Sequence, residues 1–234
     1  MPWAGESPKL AQPYWWKTLS ELILLAASGL AREVLAVVRT SGQYDVVGML
    51  DDDRELLGVS IDGASVLGPI DEADRFPEAF VVVCLESGRH REAVVHRLSS
   101  LGILVDRYAT VLHSDIRVPD ESRIGAGSIL LQNVTIGPWV VLGNHVVVMP
   151  MVNLAYNVQA DDFATFSAGV STGEGCRIGR VAHIGMNASI AEGMSVGPYA
   201  SVGMGAAVLD HVPPGATWVG VPAREIRSIH LGDD

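Results

Sequence analysis

From Val118 to Val212 the apolar positions recur every six residues with no insertion. Stepping by six from Val118 reaches Ile124, Leu130 and so on to Val208, and fourteen of these sixteen positions hold a large apolar residue; Ala160 and Thr172 are the exceptions. Four places after each lies a small or β-branched residue, from Ser122 to Val212, broken only by Met194. One place after each, glycine is the commonest residue: Gly125, Gly137, Gly143, Gly173, Gly179, Gly185, Gly197 and Gly203. A helix repeats near 3.6 residues and a simple strand at 2, so this period predicts a short strand and a tight corner, repeated. Three such units make one coil of a triangular β-solenoid, with residue n stacked on n+18 at about the 4.8 Å inter-strand spacing. Large residues are expected on the axis, small ones near the corners, and glycine where the backbone turns.

Upstream the pattern alternates between strand and helix. Leu22–Ala26 reads as a strand, Ala27-Ser28-Gly29 as a turn, and Ala31, Val34, Leu35, Val37 and Val38 as the apolar face of a helix. Tyr44–Leu50, Ala64–Leu67, Phe80–Leu85 and Ile103–Val105 are further strand candidates, with a second helix near His90–Leu98. Such alternation predicts a small parallel sheet, half of a Rossmann fold, with a crevice at the carboxyl ends of its strands. After the repeat, Pro213-Pro214-Gly215 ends the ladder because proline cannot donate to it, and Ala223–Leu231 reads as a short closing helix. The expected organisation is an arm at 1–19, an α/β domain at 20–107, a β-helix at 108–213, and a terminal loop with a short helix at 214–234. The arm holds Tyr14-Trp15-Trp16 and is expected to dock its aromatics on a neighbouring surface.

Composition narrows the partners. With 27 acidic against 16 basic side chains the net charge is −11, which argues against nucleic acid or an anionic membrane. Runs such as Leu22–Ala27 are too short to span a bilayer, and no signal-peptide pattern precedes residue 30, so a cytoplasmic location is expected. Cys84 and Cys176 fall at apolar positions and read as buried thiols. No His or Cys pair has ligand spacing on one face, so no metal is expected.

Candidate chemistry starts at the first strand-to-helix turn. It lacks the full G-x-G-x-x-G, which disfavours a pyrophosphate-hugging dinucleotide site. The helix start at Ser28 and Gly29 could still hold a phosphate, and Asp51 and Asp52 stand where such folds bind a ribose or base. The alternative is that these acids only solvate a turn.

The hexads, the tail Gly220-Val221-Pro222-Ala223-Arg224, the opening Leu25-Ala26-Ala27-Ser28-Gly29-Leu30-Ala31-Arg32-Glu33 and Gly48-Met49-Leu50-Asp51-Asp52 together resemble one family. It is that of the bacterial sugar acyltransferases, of the sialic-acid O-acetyltransferase and UDP-amino-sugar N-acetyltransferase type. The resemblance implies a left-handed parallel β-helix, a homotrimer, acetyl-CoA as co-substrate in a groove between adjacent prisms, and a nucleotide-sugar on the N-terminal domain. It implies donor contacts at Thr165, Gly173, Gly175 and Met186, and acceptor contacts at Ser28, Gly29, Asp51 and Asp52. The family's His-Asp pair, its general base, matches Tyr156-Asn157 here, and a glycine whose amide polarises the thioester matches Glu174.

Tyr156 and Glu174 are eighteen residues apart and so should stack one coil apart. A tyrosine, with an ordinary pKa near 10, is a poor base at neutral pH, so an amine acceptor, which attacks a thioester unaided once neutral, suits the site better. Glu174 is the candidate proton acceptor and Tyr156 the candidate oxyanion donor, whereas His145 and His183 read as surface or interface histidines. Three readings follow. They are a CoA-dependent acyltransferase acting on an amino or hydroxyl group of a nucleotide-sugar or related metabolite, a different enzyme using Tyr156 and Glu174 without acyl-CoA, and a non-catalytic metabolite-binding trimer.

Overall fold

A computed structural model describes residues 19–228. The N-terminal domain comprises β1 (Ser20–Leu25), α1 (Gly29–Ser41), β2 (Tyr44–Leu50), β3 (Ser60–Ile61), β4 (Ala64–Gly68), β5 (Phe80–Val83) and α2 (Gly88–Ser100). Its sheet has the order β3-β4-β2-β1-β5 and is parallel except for the β3–β4 hairpin. The alternation of β1 divides the core: Leu22 and Leu24 pack toward α1, Ile23 and Leu25 toward Leu98 of α2. Ser28 caps α1 by accepting from the Ala31 N–H, and Gly42 ends it in the left-handed region at φ 62°.

The expected strand at Ile103–Val105 does not form. Gly102, at φ 83°, turns the chain so that the Ile103 N–H donates to Leu98 rather than to the sheet. Ile103 is buried, Leu104 and Val105 stay exposed, and a 3-10 turn over Val105–Arg107 leads out of the domain. The edge of β5 is met instead by Tyr108 and Ala109.

The solenoid is a left-handed parallel β-helix of two-residue strands in three sheets. Its eighteen-residue register already holds between Val111–Leu112 and Ile129–Leu130, and it continues to Ser189↔Ala207. Phe166, Leu130, Ile184 and Val208 fill the axis, with Val146, Ala164, Ala182 and Ala200 near the corners. Cys84 and Cys176 are buried.

The glycines do something other than expected. Gly125, Gly143 and Gly185 do not carry a positive φ; a Cβ on any of them would sit 2.4–2.7 Å from the backbone of the next coil. Their role is close approach. The left-handed residue falls two places further on, at every sixth position from Gly127 to Gly205, and nine of these fourteen corners are not glycine. At each such corner from His145 to Gly205 the N–H donates to the carbonyl nineteen residues earlier, as Asn157 does to Pro138 at 3.0 Å. The coil-to-coil ladder holds these residues in a conformation that would otherwise cost about 1 kcal/mol each.

After Pro213-Pro214-Gly215 the stack is not finished. Ala216–Val219 adds a strand whose register shortens to sixteen residues, Ser201↔Thr217. Arg224–Ser228 then pairs antiparallel with it, where a closing helix was expected. Residues 224–227 are all exposed and offer no apolar helical face, whereas the preceding strand offers an open hydrogen-bonding edge. Residues 229–231 of the expected helix, and all but Leu19 of the expected arm, lie outside the described residues.

The two domains share one core. Leu22, Leu24, Leu30 and Val34 lie in the same buried cluster as Val111, Ile129, Leu131 and Val147 of the solenoid. Arg91 of α2 adds a polar lock. It is fully buried with no carboxylate partner among the described residues, and it donates to the carbonyls of Leu85, Glu86, His145, Phe163 and Ala164 and to the Thr165 hydroxyl.

Candidate active site

Tyr156, Asn157, Gly173, Glu174 and Gly175 meet on one edge of the prism, where the strands Asn153–Leu154 and Ser171–Thr172 turn into the next face. The Gly175 N–H donates to the Tyr156 carbonyl at 2.9 Å, so Glu174 stacks on Tyr156 one coil away. Both side chains are exposed, Tyr156 by 49 %. The next eighteen-residue step continues the column to Glu192, whose neighbour Gly193 donates to the Glu174 carbonyl at 2.8 Å, so two carboxylates follow the tyrosine along this edge.

Local reasons fix the flanking residues. Asn157 occupies a left-handed corner at φ 57°, a conformation asparagine tolerates well. Gly173 has no room for a Cβ, which would lie 2.5 Å from the Glu192 nitrogen. Gly175, at φ 66°, has open space around it.

Thr165 and Met186 are not part of this edge. Thr165 is a strand residue buried at the domain junction, and its hydroxyl is spent accepting from Arg91 and donating to the Glu86 carbonyl. Met186 is exposed, but it stands at another corner, after the strand His183–Ile184.

The crevice residues come together at the carboxyl ends of β1 and β2, but their polar groups are largely used. Asp51 accepts from the Ala27 N–H at 2.7 Å through one oxygen and from the Asp53 N–H through the other. Asp52 accepts from the Ile70 N–H and pairs with Arg97 at 2.9 Å. Ser28 donates to the Cys84 carbonyl while capping α1, and Gly29 remains exposed. Asp51 thus places a carboxylate just ahead of α1, while Gly29, the first residue of the helix, has open space beside it.

Two residues carry more of the site's architecture than their sequence context suggested. His145 is 4 % exposed and lies inside the junction, stacked on Phe163 at 5.1 Å and edge-on to Tyr108 at 4.5 Å. Burial, reinforced by the charge of Arg91, pushes its pKa down to about 4. Its Nδ1 has no hydrogen-bond partner among the described residues. Arg91 was legible in principle, because the helical period puts it in register with buried Val94 and Leu98. His183 is exposed on the outer face of the solenoid, and loss of hydration beside α2 lowers its pKa.

Comparison with known proteins bears on this geometry. Residues 21–98 match the family model of the PglD N-terminal domain. None of the curated proteins matches the chain. Among solved structures, the acetyltransferase domain of PglB from Neisseria gonorrhoeae is 24 % identical, with a TM-score of 0.81 over 88 % of this chain and 100 % of that one. The same domain is also known in complex with acetyl coenzyme A. A variant of GDP-perosamine N-acetyl transferase from Caulobacter crescentus, in complex with CoA and GDP-perosamine, is 18 % identical with a TM-score of 0.81 over 89 % of this chain and 97 % of that one. WeeI from Acinetobacter baumannii is 26 % identical over 88 % of this chain and 99 % of its own, with a TM-score of 0.59. The chain has the two-domain fold of the bacterial sugar acyltransferases of the hexapeptide-repeat type.

Proposed function

We propose that this protein transfers an acetyl group from acetyl-CoA to an amino or hydroxyl group of a nucleotide-sugar, with an amine the favoured acceptor. The observation that carries the reading is the joint match of both domains, in one order and over nearly the whole of each chain, to acetyltransferases, one of them bound to acetyl coenzyme A and another to CoA with GDP-perosamine.

The edge residues suit an amine better than an alcohol. Acetyl-CoA supplies an activated acyl thioester. A neutral amine attacks the thioester carbonyl, the C–S bond breaks, and the nitrogen must then shed a proton. Glu174, exposed on the edge, is placed to take it, and the Tyr156 hydroxyl one coil away can donate a hydrogen bond to the carbonyl oxygen as charge develops there. Asn157, Gly173 and Gly175 shape the edge beneath them. Thiolate leaving and proton transfer balance the reaction without a metal.

Because exposed Met186 stands at another corner, this reading has neighbouring copies complete the donor site, as a homotrimer. Exposed Trp139 and Val141, beside the same edge, are apolar surface suited to that contact. Among the described residues no helix is long and apolar enough to cross a membrane.

The test is direct. Incubation with acetyl-CoA and UDP- or GDP-linked amino sugars should yield one acetylated product by mass spectrometry, with hydroxyl-only sugars reacting more slowly. Glu174→Gln should lower kcat about a hundredfold with little change in KM for acetyl-CoA. Absence of transfer to any sugar nucleotide, with acetyl-CoA left intact, would return the chain to an enzyme without acyl-CoA or a binding protein.

A further inference from the structure

Both helices of the N-terminal domain begin with a serine cap, Ser28 accepting from Ala31 and Ser87 from His90, but their surroundings differ. At α1 the Asp51 carboxylate accepts from the Ala27 N–H just ahead of the helix, so an anion bound there would meet a like charge. At α2 the chain opens onto a cavity of about 500 Å³ between the helix start and the outer face of the solenoid. Its walls include Ser87, Arg89, His183, Ser201, Thr217 and Arg227.

The chemistry of those walls has one theme. Arg89 sits over the Tyr199 ring at 4.7 Å, and neither it nor Arg227 pairs with a carboxylate among the described residues. His183, Ser201 and Thr217 come from strands stacked in register, so an imidazole and two hydroxyls line up along one wall. The first amides of α2, at Gly88 and Arg89, have no intrahelical acceptor. Among the described residues Glu86 is the only carboxylate lining the space. In a chain of net charge −11, two unpaired guanidinium groups converging on one cavity make a local inversion of sign.

We propose that this cavity, and not the start of α1, binds the phosphate groups of a phosphate-bearing substrate, with Arg89 and Arg227 as the charged clamp. Arginine suits that task because its planar fork matches phosphate oxygens. The inference rests on the acyl-transfer reading for the identity of the ligand, since a nucleoside diphosphate and CoA share this chemistry. It does not rest on that reading for the existence of the site.

Calorimetric titration, without turnover, tests it with UDP, GDP, CoA and inorganic pyrophosphate. At least one should bind the wild-type protein with a micromolar Kd, and Arg89→Gln with Arg227→Gln should weaken that ligand at least tenfold. Both arginines are exposed, so the double variant should keep the wild-type thermal midpoint. Arg32→Gln, an exposed arginine on α1, should leave Kd within twofold. Loss confined to UDP or GDP makes the cavity an acceptor site; loss confined to CoA makes it a donor site. Failure of all four ligands to bind, or equal binding by the double variant, overturns the proposal. Failure of acetyl transfer while the arginine-dependent binding persists would instead overturn only the proposed reaction.

Discussion

The solenoid and the junction beside it are stabilised by opposite means. In the solenoid one local rule is repeated: an apolar residue on the axis, a close-approach position, and a left-handed corner whose amide bonds the coil below. No single residue is decisive, since each contact has equivalents above and below. At the junction nothing repeats. One buried guanidinium satisfies carbonyls from both domains, and one buried imidazole fills the space between Tyr108 and Phe163. The difference teaches where substitutions will be felt most.

The largest effect is expected at Arg91. Replacing it by Met would remove the buried charge but leave five carbonyls and the Thr165 hydroxyl short of a donor. Each buried acceptor left without a donor typically costs about 1 to 3 kcal/mol, so the loss over this set should exceed about 3 kcal/mol. Denaturant unfolding should show that loss, and the Leu85–Ser87 segment should lose hydrogen-exchange protection first. An unchanged midpoint would mean that the shared apolar core alone joins the domains.

His145 gives the junction a pH dependence. Its folded pKa of about 4 lies below the ordinary histidine value, so the unfolded chain binds the proton first as pH falls. The stability contributed by neutral His145 is therefore complete above about pH 6.5 and is lost as pH drops toward 4, by on the order of 3 kcal/mol. Asp162 opposes this shift, while Arg91 and Arg180 reinforce it. His145→Asn, which keeps a side chain tolerant of the left-handed corner, should flatten the midpoint-against-pH curve across that window. A curve as steep as wild type would transfer the effect to other groups.

The same contrast explains what could be read from the sequence. The solenoid was legible almost to the residue because its period repeats, so one misjudged hexad does not alter the fold. Even there the glycine positions misled: composition points to glycine as the turn residue, but Trp139, Phe163 and Tyr199 occupy left-handed corners because the ladder, not intrinsic preference, sets the backbone. The α/β sheet was legible from strand–helix alternation, whereas the β3–β4 hairpin is signalled only by Asp62-Gly63. The stacking of Glu174 on Tyr156 followed from arithmetic. Partners of long sequence separation did not: nothing local says that Asp51 reaches Ala27, that Thr165 is spent on Arg91, or that Arg227 returns to face Arg89.

Within the solenoid, two substitutions of opposite sign probe the rule itself. Gly143→Ala would place a Cβ 2.6 Å from the Asp162 nitrogen and from its Oδ1, contacts made with a coil held on both sides. The expected loss is about 2 kcal/mol, read as a lower thermal midpoint. Met151 tests the other half. It occupies a left-handed corner at φ 62°, and its side chain is 61 % exposed. Its amide still donates to the Gln132 carbonyl at 3.1 Å, so the corner geometry does not depend on the side chain. Asparagine tolerates that conformation better than methionine, and Met151→Asn should raise stability by about 0.5 kcal/mol with no change in fold. A fall in the midpoint instead would mean that the methionine packs against a neighbouring copy, and that this corner, unlike its equivalents, is held by assembly as well as by the coil beneath it.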